Sequence, residues 1–218
     1  MSRPKYYMTH IDNLASILEN GIFSHNKMAT IPHTRIDNQT VNARRERIDP
    51  KYNRSLHDYV PLYFNPRNPM LYAVQKYPVI ILEIDSELVP NLITDGNAAS
   101  KATNFYRSEE EMPQKAWNDV FERSWTTINI CISDLRSMSL DERITKRKSE
   151  DIRNSDLKRS MCAEALVLDK IEPQYIKAIY CRDSDIALKV VQIRDACGFS
   201  EETMPIRLPA KDSKLFFL

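Results

Sequence analysis

The stretch from Ser160 to Leu168, Ser-Met-Cys-Ala-Glu-Ala-Leu-Val-Leu, constrains the fold more than any other part of the chain. Met161, Ala163, Ala165 and Val167 share one parity, and Glu164, Leu166 and Leu168 share the other. An extended segment with this pattern is apolar on both faces apart from one carboxylate, so it belongs in a sheet covered on both sides. Burial strips water from Glu164 and suits it to acid or base work. The same pattern also fits a glutamate ion-paired at a strand end. The polar, charged segment from Ser137 to Arg159 leads into this strand. A polar arm feeding one carboxylate on a rigid strand is a common way to build an active site.

The remaining elements alternate irregularly. Tyr6 to His10 reads as a first strand, Asp12 as an N-cap, and Leu14, Ile17 and Leu18 as a helical stripe ended by Gly21. Val41 to Ile48 reads as a short helix bearing Arg44, Arg45 and Arg47. Tyr59, Pro61 and Tyr63 alternate with Val60, Leu62 and Phe64 in a strand, and Pro69 suits the first turn of a helix. Val79 to Ile84 is the clearest buried strand, and Leu92 to Thr94 a short one. Thr94-Asp95-Gly96-Asn97 reads as a turn opening a helix, and Glu109 to Phe121 as one helix or two divided at Pro113. After the Glu164 strand come a strand at Ile176 to Cys181 and an amphipathic helix from Ser184 to Cys197. An edge-strand pattern follows at Met204 to Leu208, where Pro205 cannot donate to a ladder. Strands separated by helices and irregular segments, without regular βαβ alternation, indicate an α+β fold. The length suits a single domain over 1–218, with 137–160 as a polar arm.

Composition excludes several classes. The chain has three glycines, too few for a glycine-rich phosphate loop or a dinucleotide fingerprint. Its four cysteines match no metal spacing, so no metal is expected, and with no recognisable leader they point to reduced thiols in the cytoplasm. No apolar run approaches the length of a membrane span. The net charge of +1 announces no polyanion partner, although the charges are clustered.

Two features could hold a nucleotide without such a loop. His10 and Asn13 sit at a strand–helix corner, where unpaired N–H groups favour a diphosphate; equally, His10 can cap or pack. Arg44, Arg45 and Arg47 can grip phosphates through the guanidinium fork, or form a solvated face.

Three blocks together resemble the DarT family of DNA ADP-ribosyltransferase toxins. They are His10-Ile-Asp-Asn13-Leu14 with Ile17 to Gly21; Leu56-His-Asp-Tyr-Val-Pro-Leu-Tyr-Phe64 with Pro66 and Pro69-Met70-Leu71; and Ala163-Glu164-Ala165-Leu166-Val167. The resemblance spans nearly the whole chain. It implies the ADP-ribosyltransferase fold, a split, mainly antiparallel sheet flanked by helices with NAD+ as co-substrate in the cleft. It makes Glu164 the catalytic glutamate and Arg44, with Arg45 adjacent, the arginine that contacts the diphosphate and supports catalysis. His10, Asn13 and Leu14 become the first NAD-binding block, and Tyr63 the aromatic facing nicotinamide. The arm before Glu164 becomes the target-recognition loop, so Lys146, Arg147, Lys148 and Arg159 are expected to track DNA phosphates; a solvated face is the other reading. The partners implied are single-stranded DNA and an antitoxin that removes ADP-ribose.

The chain departs from the thymidine-modifying pattern at Asn97, where such members carry histidine. Imidazole can exchange a proton, whereas a carboxamide only donates and accepts hydrogen bonds. Guanine is therefore the expected base, with thymine the alternative. RNA or a protein side chain as acceptor, and a catalytically silent NAD- or nucleic-acid-binding module, are competing readings of the same fold. The chemistry implied is cleavage of the nicotinamide–ribose bond through an oxocarbenium-like centre, with Glu164 holding a ribose hydroxyl and serving as general base toward the acceptor.

Overall fold

The computed structural model describes residues 3–36, 42–121, 155–208 and 215–216. Its sheet has eight strands in the order β10-β9-β4-β1-β3-β7-β5-β6. In chain order these are β1 Lys5–His10, β3 Tyr59–Tyr63, β4 Val79–Ile84, β5 Leu92–Thr94, β6 Phe105–Tyr106, β7 Glu164–Leu168, β9 Ile176–Cys181 and β10 Ile206–Arg207. All neighbours pair antiparallel except β10, which lies parallel to β9 at the edge. A separate ribbon joins β2 Ile22–Phe23 to β8 Lys170–Ile171. The α+β fold with a mainly antiparallel sheet is therefore present.

Parity in β4 explains why the sheet is covered on both faces. Ile80, Leu82 and Ile84 enter the main core, whereas Val79 and Ile81 pack with Leu71, Val74 and Phe216 on the other side. The main core also takes Leu14, Ile17 and Leu18 from helix α1 (Leu14–Asn20) and Ile186 and Val190 from the Ser184–Ala196 helix. Gly21 ends α1 at φ 86°, a conformation glycine adopts without penalty. A side chain there would also meet the Ile171 carbonyl at 2.3 Å.

Pairing along the sheet is uneven. β1 and β4 pair over six positions, from Lys5↔Ile84 to His10↔Val79, while β1 and β3 share the single pair Tyr6↔Tyr63. Past that pair the two halves of the sheet separate.

Three local expectations change. Asp12 is not the cap: His10 Nδ1 accepts the Asp12 N–H at 3.2 Å, and a 3₁₀ turn, Ile11–Asn13, precedes α1. Residues after Thr94 form turns rather than a helix. There the Asn97 carbonyl accepts the Thr103 hydroxyl, and the Ala98 and Ser100 carbonyls face Arg47, so the chain is held by side chains instead of a helical ladder. Beyond Pro113 a single helix runs Gln114–Phe121.

Candidate active site

Where the sheet splits, a cavity of about 340 Å³ opens. Tyr7, Met8 and Thr9 of β1 line one side, and Tyr59, Pro61 and Tyr63 of β3 the other. The β3 residues are the parity opposite to Val60, Leu62 and Phe64, which enter the main core. Asn13 reaches the cavity from the strand–helix corner. It donates to Thr9 Oγ1 at 3.1 Å and to the Thr34 carbonyl at 2.9 Å, and accepts the Thr34 N–H at 2.7 Å. Asn13 thereby ties the 31–36 segment, which contributes His33, Thr34 and Arg35 to the lining, onto the corner.

Glu164 opens β7 directly across from Tyr63, so the two side chains share a face. Its backbone N–H donates to Thr94 Oγ1 at 2.9 Å, and that hydroxyl donates in turn to the Gly96 carbonyl at 2.7 Å. Its carboxylate is fully buried. Arg45 Nη1 donates to both oxygens, at 3.1 and 2.8 Å, and the Ala98 N–H donates to Oε1 at 3.1 Å. Burial opposes the charge on Arg45, but the neighbouring carboxylate outweighs it and holds the guanidinium firmly protonated. Arg45, Tyr63, Asn97 and Cys162 all border the cavity. Glu164 thus lies one side chain behind the wall, with Arg45 between it and the opening.

The surrounding groups are held neutral. Burial, then the Glu164 charge, pushes the Tyr63 phenol well above its ordinary range. The same two causes push the Cys162 thiol up to about 12, so it is no nucleophile at neutral pH. Burial, then His25 and Arg45, lowers the His57 imidazole.

The sequence-derived candidates are distributed as follows. Glu164, Tyr63, Asn13 and Asn97 converge on the cavity or its wall. Arg44 does not meet Glu164: it is exposed, and Arg45, the next residue in the same 3₁₀ turn, takes that position. His10 serves as a cap, and Leu14 is fully buried in the main core. Arg159 is committed elsewhere, with Nη1 on the Asp95 carbonyl at 3.1 Å and on Asp95 Oδ1 at 3.0 Å, and Nε on Asp156 at 2.9 Å. It clamps the turn carrying Asn97, whose N–H donates to the Arg159 carbonyl at 3.0 Å. Lys146, Arg147 and Lys148 lie outside the described residues. The sequence reading missed the Thr94 hydroxyl, the Ala98 N–H and the His25–His57 pair. His57 stands inside the second motif block, so its type was visible although its position was not.

The sequence model of the family described as "DarT: ssDNA thymidine ADP-ribosyltransferase, DarT" matches residues 6–208. The chain belongs to the DarT family. It is 35% identical over 197 residues to a DNA ADP-ribosyl transferase–DNA ADP-ribosyl glycohydrolase fusion protein of Thermosipho africanus, covering 85% of this chain and 44% of that one. It is 32% identical over 141 residues to a DNA ADP-ribosyl transferase of Thermus sp. strain 2.9, covering 56% and 66%. The chain thus spans less than two thirds of the length of these two relatives. Among solved DarT structures, that of Thermus sp. 2.9 in complex with ADP-ribosylated ssDNA superposes with a TM-score of 0.70 at 26% identity, covering 95% of this chain and 98% of that one. The Thermosipho africanus DarTG complex with ADP-ribose gives 0.67 at 30% identity, covering 98% and 51%. Among the described residues no helix is long and apolar enough to cross a membrane, and no cluster of three or more His, Cys, Asp or Glu side chains is placed to hold a metal ion.

Proposed function

We propose that this protein transfers ADP-ribose from NAD+ to a base of single-stranded DNA, releasing nicotinamide, and that it acts as a cytoplasmic toxin opposed by an antitoxin that removes ADP-ribose. The observation that carries the reading is Glu164. It is a fully buried carboxylate clasped by Arg45 and the Ala98 N–H behind a cavity bordered by Tyr63, in a chain of the DarT family. The glycohydrolase fused to the Thermosipho relative supports the antitoxin.

In this mechanism NAD+ lies along the split between β1 and β3, with nicotinamide toward Tyr63. Arg45 turns from Glu164 toward the diphosphate, and the freed carboxylate holds a ribose hydroxyl. Negative charge then lies close to the sugar cation that forms as the glycosidic bond breaks. Glu164 next accepts the proton of the attacking base nitrogen, a step worth about 10²–10⁴-fold. A base stacked in a duplex cannot enter the cleft, which favours single strands.

Guanine is the base we assign, because Asn97, a group that exchanges no proton, borders the cavity where thymidine-modifying members carry histidine. The family as a whole is described by thymidine. Mass spectrometry of homopolymeric oligonucleotides incubated with enzyme and NAD+ decides the base. Adduct on dG and not dT supports guanine; the reverse removes it. Glu164→Gln is expected to abolish the adduct while NAD+ binding persists, and adduct formation by that variant would take Glu164 out of the mechanism.

A further inference from the structure

Two buried side-chain nitrogens beside the cavity have no hydrogen-bond partner among the described residues: Arg45 Nη2 and His57 Nδ1. Both side chains line the same cavity. Arg45 spends Nη1 on Glu164 and leaves Nη2 idle. A buried donor or acceptor without a partner carries its full desolvation penalty, so such atoms mark either strain or a place reserved for a ligand.

His57 is 9% exposed, and its position is fixed from the backbone. Its N–H donates to Ser55 Oγ at 3.2 Å, and its carbonyl accepts the Asn26 N–H at 3.1 Å. One ring face packs on His25, with centroids 4.5 Å apart and a tilt of 40°. The last torsion of a histidine is soft, so a modest ring rotation presents Nδ1 to the cavity without moving the backbone.

The charged groups that act on the imidazole are His25, packed on its face, Arg45 and Glu46 of the adjacent 3₁₀ turn, and Asp58 next in sequence. Burial, His25 and Arg45 together outweigh the two carboxylates and disfavour a charged ring in the free protein. An anion lying between Arg45 and His57 reverses that balance, because it neutralises the arginine's repulsion and offers an acceptor oxygen.

We propose that His57 joins Arg45 in binding the diphosphate of NAD+ and takes up one proton from solvent as the anion arrives. The inference rests on the NAD+ reading above. The neutral ring has one N–H; the proton gained gives it a second, so both nitrogens become donors and one faces a phosphate oxygen. Binding therefore weakens as pH rises, by up to about tenfold for each unit the ring's pKa climbs on binding.

The test is calorimetric titration of ADP-ribose, which carries the diphosphate and cannot be cleaved at nicotinamide, into the full chain. It is run at several pH values in buffers of contrasting ionisation enthalpy. The expected result is net proton uptake near pH 7 for the wild type and none for His57→Asn. Binding without proton uptake, or uptake unchanged in His57→Asn, overturns this inference and leaves the NAD+ reading intact. Failure of ADP-ribose to bind overturns both. Should His57→Asn not fold, ¹⁵N NMR of the wild-type imidazoles with and without ADP-ribose gives the same answer. A ring that becomes protonated and is assigned to His57 supports the inference; one that stays neutral ends it.

Discussion

Replacing Arg45 by methionine isolates the energetics of the buried pair. Glu164 has 0% of its side chain exposed and Arg45 13%. In the variant the carboxylate keeps the Ala98 N–H at 3.1 Å and loses both guanidinium contacts, at 2.8 and 3.1 Å. Removing one partner of a buried ion pair costs about 3–5 kcal/mol, because the other charge stays desolvated. For a chain of this length about 1 kcal/mol moves Tm by about 2–4 °C, so a fall of roughly 6–20 °C is expected. Arg44→Ala is the matched control: that side chain is exposed, and its loss should stay within about 0.5 kcal/mol. Replacing both charges, Arg45→Met with Glu164→Leu, should recover most of the stability, since no unpaired charge remains. Urea unfolding followed by circular dichroism measures all three, and the single Glu164→Leu variant closes the cycle that yields the coupling energy. If Arg45→Met stays within about 1 kcal/mol of the wild type, or Arg44→Ala costs as much, the pair does not hold Glu164 and the argument fails.

Arg159→Ala should lower transfer by loosening the Asp95–Asn97 turn while leaving the salt dependence of DNA binding unchanged, because its guanidinium is engaged by Asp95 and Asp156. A log–log salt slope shallower by about one would show instead that it contacts a phosphate. Cys162, buried and pushed up to about 12, should resist iodoacetamide at pH 8 in the folded protein and react after denaturation. Peptide mapping that finds Cys162 alkylated in the native state contradicts the burial.

Parity carried much of the architecture. The alternation in β3 separated the residues that enter the core from those that line the cavity, and the two-faced apolar run of β7 placed Glu164 in a covered sheet. Neighbouring choices within a short turn were not legible. Arg44 and Arg45 offer identical chemistry, and the 3₁₀ geometry of Arg44–Glu46 decides which one faces inward. The contact of Arg159 with Asp95 was not legible because that acid lies 64 residues away in sequence. The turn after Thr94 read as a helix start because the claim of Arg47 on the Ala98 and Ser100 carbonyls is a tertiary contact.

The cleft itself traces to one residue type at one position. Glu164 and Leu166 face Tyr63 and Pro61 across the β3–β7 ladder. The Glu164 N–H goes to Thr94 and the Leu166 carbonyl to the Asn91 N–H, both on the β5 side. These are therefore the non-hydrogen-bonded pairs of that ladder, and the backbone groups of Pro61 and Tyr63 point the other way, toward β1. Tyr63 pairs there with Tyr6, but two residues back Pro61 has no N–H to offer, and the β1–β3 ladder stops. The gap becomes the cavity, and Tyr63 at its edge sits opposite the carboxylate. Pro61→Val restores a donor at the break. The expected outcome is a folded protein in which new β1–β3 pairing narrows the cleft and ADP-ribose binds roughly tenfold more weakly, about 1.4 kcal/mol by calorimetry. Hydrogen exchange should show that the amide which the substitution introduces at position 61 is protected. Unchanged affinity together with that protection would mean that the loops, and not the broken ladder, set the width of the cleft.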